Sequence, residues 1–204
     1  MRARLLLNHL LGCGLPPGTG AVSSAKGVRH LMITVITGDR GSGKTTLCRR
    51  LADHARAAGW DVAGILAPAV FDGHEKVGIE ALDLRTGERR PLARRREDDS
   101  PPVGLHTPAW AFDESAVAWG NDVLARSTPC DLLIVDELGP LEMERDQGWT
   151  AGLSAVTSGN YRRALVVVRP ELLRSALLRW PGAQVVDATN GRETSRLERL
   201  LSLT

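Results

Sequence analysis

The chain has 204 residues, 43% of them hydrophobic and 25% charged, with a formal net charge of only +2. That size suits one domain with a sizeable core, and so even a charge balance gives no basis for nucleic-acid binding or for attraction to an acidic membrane surface. Cys13, Cys48 and Cys130 are scattered, and neither they nor the five histidines show metal-ligand spacing. They read as reduced thiols and ordinary side chains of a cytoplasmic protein.

Residues 1–31 do not read as part of the fold. Met1-Arg2-Ala3-Arg4 followed by Leu5-Leu6-Leu7 imitates a secretion signal, but Asn8 and His9 interrupt a short apolar run. Pro16-Pro17-Gly18-Thr19-Gly20 and Ser23-Ser24 have a flexible composition. The expectation is a flexible N-terminal extension over 1–31, with Met32 as an alternative start, and a folded domain over 32–204.

The β-branched run from Ile33 to Thr37 is followed by Gly38-Asp39-Arg40-Gly41-Ser42-Gly43-Lys44-Thr45-Thr46, which spells G-x-x-x-x-G-K-[ST] from Gly38 to Thr45. This is the pattern of a phosphate-binding loop. Gly38, Gly41 and Gly43 permit positive φ, so that successive N–H groups can line one concave nest. A helix expected from Gly43 to Ala58 adds unpaired N–H groups and the positive end of its dipole. Lys44 is placed to reach the β- and γ-phosphates, and the Thr45 hydroxyl to ligate Mg²⁺. The chain has only three lysines, Lys26, Lys44 and Lys76, and otherwise uses arginine. A compact ammonium fits this loop better than a planar fork.

Leu47, Leu51, His54 and Ala55 recur at helical spacing in that helix, and Val62–Leu66 reads as a second strand. Val77–Leu84 alternates and is followed by a turn at Thr86-Gly87, which predicts an antiparallel excursion at one sheet edge. Arg94-Arg95-Arg96, followed at once by Glu97-Asp98-Asp99, reads as a solvated loop. The polar, proline-rich stretch 97–108 is expected to be a loop, mobile over the site. Asp113 is placed to cap a helix through Arg126, with Ala116, Val117, Val123 and Leu124 inward. Trp110 and Trp119 read as core.

Leu132-Leu133-Ile134-Val135-Asp136-Glu137 predicts a strand buried on both faces with two carboxylates at its C-terminal end, where open α/β sheets place ligands. Beside a phosphate loop, Asp136 is expected to hold Mg²⁺ through water and Glu137 to act as general base. Gly139–Glu142 reads as a turn, and helices are expected over 147–157 and from Pro170 through Leu178. Strands are expected at 165–168 and 185–187, and a closing helix over 193–203. Strands alternating with helices give a mostly parallel sheet in three layers.

On these residues, the region from Met32 to Leu203 resembles the small phosphate-loop nucleoside triphosphatases first described from thermophiles, which include the vertebrate cancer-related nucleoside-triphosphatase. The similarity rests on Thr37–Leu47, on Val62–Leu66 with Gly78 and the Asp83–Gly87 turn, and above all on Ile134–Glu142. It implies a three-layer α/β P-loop fold with a RecA-like sheet, and Mg²⁺-dependent hydrolysis of nucleoside triphosphates. It further implies base contacts from Asn190 and Arg192 and a charge-stabilising role for Arg169. The chain departs from the family's Thr-x-Glu-Val-Arg element at Ala67-Pro68-Ala69-Val70-Phe71. A P-loop kinase with a small-molecule acceptor and a partner-activated nucleotide switch stay open as alternatives.

Overall fold

The computed structural model describes residues 32–96 and 104–202. The expected extension at 1–31 and most of the expected mobile loop, 97–103, lie outside the described residues. Nine strands form one sheet in the order β6-β5-β4-β2-β7-β8-β1-β9, with β3 paired to β4. Its parallel part comprises β1 (Met32–Thr37), β2 (Val62–Leu66), β7 (Cys130–Leu138), β8 (Tyr161–Val168) and β9 (Gln184–Asp187). The antiparallel part is the expected excursion, built from β3 (Ala69–Asp72), β4 (Glu75–Asp83), β5 (Arg89–Arg95) and β6 (Trp110–Phe112).

The middle strands are apolar because helices cover both faces. Leu132, Leu133, Ile134 and Val135 of β7 are fully buried, each contributing roughly 1.5–3 kcal/mol by leaving water. One face packs against α1 (Lys44–Ala57) and α6 (Gly191–Ser202) through Leu47, Cys48, Leu51, Ala55 and Leu197. The other is covered by α2 (Glu114–Ala125), α4 (Thr150–Ser158) and α5 (Leu173–Arg179). Three layers therefore enclose the sheet, as the alternation of elements predicts. The central pair comes unusually close. Gly64 of β2 has φ +110°, and a Cβ there would stand 1.9 Å from the Ile134 carbonyl oxygen, so only glycine fits.

Several local expectations are corrected. Arg94 and Arg95 belong to strand β5, pairing with Gly78 and with Ala111 and Trp110. They extend because the backbone gains two strand partners while the guanidinium groups stay exposed. Gly139–Glu142 is not a turn alone, since Pro140–Glu144 forms a short helix, α3, with proline in its first turn. His54 faces solvent, and Cys48 and Ala52 fill the inward stripe of α1 instead. The segment after Pro170 opens with a 3-10 turn before α5. Asp113 caps α2 as expected, its carboxylate accepting the Ala116 N–H at 3.0 Å.

Candidate functional site

At the C-terminal end of β1 the chain leaves the sheet, turns through Gly38–Gly43 and enters α1. The first turn of α1 presents N–H groups with no carbonyl behind them in the helix. Gly38 has φ +138°, and a Cβ there would come within 2.8 Å of Ser42 Oγ, so the loop's curl needs glycine at this point. The Lys44 ammonium lies in the mouth of the loop, donating to the carbonyls of Gly38 at 2.7 Å and Asp39 at 2.8 Å. It also stands 3.4 Å from Ser42 Oγ. An ammonium thus lies in the loop that leads into the unpaired N–H groups of the helix start, an arrangement suited to an anion.

The two acidic residues reach the same place through an irregularity in β7. Val135 pairs with Val166 and Leu138 with Val168, so β7 carries one extra residue between them. A bulge of this kind re-aims side chains. Asp136 turns inward and is fully buried, while Glu137, held at φ +63°, faces the cleft. Left-handed backbone at a residue other than glycine costs on the order of 1–3 kcal/mol and persists where the surroundings impose it.

Asp136 Oδ2 accepts the Ala67 N–H at 3.0 Å. Oδ1 makes no full hydrogen bond among the described residues, although the neighbouring Thr45 hydroxyl still favours the ionised form. Burial first, and then the Glu137 charge, push this carboxyl up to about 6. An orphaned buried carboxylate oxygen beside a hydroxyl is costly by itself, and a set of oxygen donors fits a hard divalent cation. Thr45 and Asp136 are therefore the side chains that could hold one.

The loop, Glu137 and the strand ends open on one cleft of about 880 Å³. Asp39, Arg40, Lys44, Thr45 and Thr46 line it, as does Arg169, just past β8. Asn190 and Arg192 are not among the lining residues. The Asn190 side chain instead accepts the N–H groups of Arg192 and Glu193 at the start of α6, at 3.1 and 3.4 Å, and Arg192 is exposed.

Arg49 of α1, Glu171 after β8, and Phe71, Lys76 and Trp110 line the cleft too, and sequence reasoning placed none of them there. The last three come from the antiparallel strands, whose approach to the loop only the fold reveals. The one available signal was Lys76, a rare lysine in an arginine-using chain. Below Glu137, the buried Glu142 accepts the N–H groups of Gly139 at 2.8 Å and Trp149 at 2.9 Å. It thereby ties α3 to the start of α4.

A loop of this form at the end of β1, with carboxylates at the end of β7, defines a P-loop NTPase fold with a mostly parallel sheet. The NTPase family profile matches residues 33–180, and the chain belongs to that family. Over 125 residues it is 35% identical to the nucleoside-triphosphatase THEP1 of Ignicoccus hospitalis, covering 61% of this chain and 68% of that one. Over 114 residues it is 35% identical to the THEP1 of Methanothermobacter thermautotrophicus, covering 55% and 63%. The second match thus spans less than two thirds of that relative's length. Among solved structures, a human cancer-related nucleoside triphosphatase superposes with a TM-score of 0.61 at 21% identity, over 84% of this chain and 96% of that one. THEP1 of Aquifex aeolicus gives 0.58 at 20% identity, over 84% and 98%. At these identities the two structures speak for the fold alone.

Proposed function

We propose that this chain hydrolyses nucleoside 5′-triphosphates to diphosphate and phosphate with Mg²⁺, in the cytoplasm, and that residues 32–204 suffice for the chemistry. The observation that carries the reading is that Glu137 lines the same cleft as the phosphate loop. The relatives named above are nucleoside-triphosphatases, which supports it further.

In this reading the loop from Gly38 to Thr46 cradles the phosphates, and the Lys44 ammonium exchanges its loop carbonyls for β- and γ-phosphate oxygens. Thr45 and Asp136 would hold Mg²⁺, which when bound would neutralise charge on those phosphates. Glu137 orients a water and accepts its proton as the water oxygen bonds to the γ-phosphorus. The bond from that phosphorus to the β–γ bridging oxygen breaks, and the diphosphate leaves with the electron pair. Asn190 and Arg192 are left as base contacts that would require the start of α6 to move.

Water is favoured as the acceptor over an alcohol because the relatives are named for hydrolysis and not for transfer. The test is phosphate release from ATP, GTP, CTP and UTP with Mg²⁺, with Lys44→Ala as control. Release from several triphosphates that vanishes in the control is the expected result. Tight binding without release would overturn it in favour of a kinase or a switch.

A further inference from the structure

We propose that Lys76, carried by the β3–β4 hairpin across the cleft from the phosphate loop, sets its ammonium against the terminal phosphate of the bound triphosphate and stabilises the charge that develops there during transfer. The inference rests on the triphosphatase reading and deepens it, by naming a cation that the chain supplies to its own site.

The placement is built by the hairpin. Lys76 lies directly across from Phe71 in the antiparallel pair, and the register shifts between Val70 and Phe71. Directly opposed residues share a face, and both side chains line the cleft that also holds the loop and Glu137. Phe71 is largely exposed there, whereas Lys76 is half-buried.

The support beneath Lys76 is rigid. Its ammonium sits 5.0 Å from the centre of the Trp110 ring, and that ring is itself only 6% exposed. Trp110 comes from β6, which pairs with β5 in the same sheet. A cation over an aromatic face is attracted by the ring's negative face, which holds the long stem in one direction without neutralising its charge.

The electrostatic surroundings point to a polyanion. Burial above all, and then the positive charges of Arg40 and Arg169, lower the Lys76 pKa from its usual value against the opposing pull of Glu137 and Asp136, so an entering anion would favour the charged form. Five basic side chains, Arg40, Lys44, Arg49, Lys76 and Arg169, line the one cleft against three acidic ones, Asp39, Glu137 and Glu171, an excess of positive charge that favours the entry of an anion. Lys44 already serves the loop from one side. Lys76 enters from the β3–β4 pair, close enough to Glu137, the carboxylate assigned to the attacking water, to feel its charge. Both lysines among the described residues therefore lie in this cleft. A compact ammonium suits a phosphoryl group whose oxygens shift during the reaction, because it needs no fixed fork geometry.

The test uses the full chain, with Lys76→Ala, Lys76→Met and Lys76→Arg. Methionine keeps a long apolar stem on Trp110 and guards against loss of folding, which circular dichroism would report. With ATP and Mg²⁺, kcat is expected to fall about 100-fold in the Ala and Met variants while KM changes little, and to recover in part in the Arg variant. By calorimetry, all variants should bind ADP as the wild type does, but only the wild type and the Arg variant should bind more tightly when fluoroaluminate is added to mimic the terminal phosphoryl group. Wild-type kcat together with a full fluoroaluminate gain in Lys76→Met would overturn the proposal. A wild-type chain that releases no phosphate would sink the triphosphatase reading, and the comparison of ADP with and without fluoroaluminate would still decide the role of Lys76.

Discussion

The buried carboxylate of Asp136 accepts the backbone N–H of Ala67 at 3.0 Å, tying the bulge in β7 to the point where the chain leaves β2. One oxygen is thereby fixed and the other has no full partner among the described residues. In the proposed reading, Oδ1 is the atom left to meet a cation. Asp136→Asn keeps an acceptor for Ala67 and removes the charge. Phosphate release should drop at least about 100-fold and lose its response to Mg²⁺, and an unchanged Mg²⁺ titration would remove Asp136 from the metal site.

The same carboxyl carries a pH signature. Its proton is held to about 6 in the fold against an ordinary value of 3.8, so between those values the folded state binds more protons than the unfolded one. Stability then falls as pH rises through this window and levels off above it. The loss attributable to Asp136 is at most about 3 kcal/mol. Urea unfolding from pH 4 to 8 without divalent cations should show this slope in the wild type and a correspondingly shallower one in Asp136→Asn. Parallel curves would mean that Asp136 titrates normally.

Much of this site was legible in the sequence because it depends on local patterns. The glycine spacing from Gly38 to Gly43 and the apolar run into Asp136 need no long-range information, and the sheet places the loop and Glu137 on one cleft. The bulge at Asp136 and Glu137 was not legible, since it depends on pairing with β8, a partner about thirty residues on. The same holds for Lys76 and Trp110, which meet only once the edge strands stack. Arg94 and Arg95 misled because charge density masks a strand whose backbone is paired and whose side chains are solvated. Asn190 carries both a capping and a binding signature, and in the structure it caps α6.

Gly64 tests how tightly β2 and β7 are joined. An added methyl would meet the Ile134 carbonyl oxygen at 1.9 Å, and φ +110° is unfavourable for alanine. Gly64→Ala should cost about 3–5 kcal/mol from the combined strain and overpacking. A urea midpoint within error of the wild type would show that the two strands can separate without loss.

Glu142 is buried, and burial raises its pKa above the ordinary carboxylate value. It nonetheless holds two N–H groups, of Gly139 and Trp149, in the segment that follows Glu137. Glu142→Ala leaves both donors buried without their acceptor, which should cost about 2–4 kcal/mol. Because Gly139 is two residues from Glu137, kcat should fall as well while nucleotide affinity holds. An effect on stability with no change in kcat would confine Glu142 to a structural role.

Glu137 combines a proposed chemical role with unfavourable backbone, and the two can be separated by substitution. Glu137→Gln keeps the shape and removes the base, so hydrolysis should fall by about 10²–10⁴ while nucleotide binding survives. Glu137→Gly also removes the base but relieves the backbone at φ +63°, and should raise the unfolding free energy by about 1 kcal/mol. A glycine variant that is more stable and inactive would mark this position as one where the fold gives up stability to aim a side chain at the cleft. Unchanged hydrolysis in the glutamine variant would instead take the base away from Glu137 and leave its strained backbone unexplained.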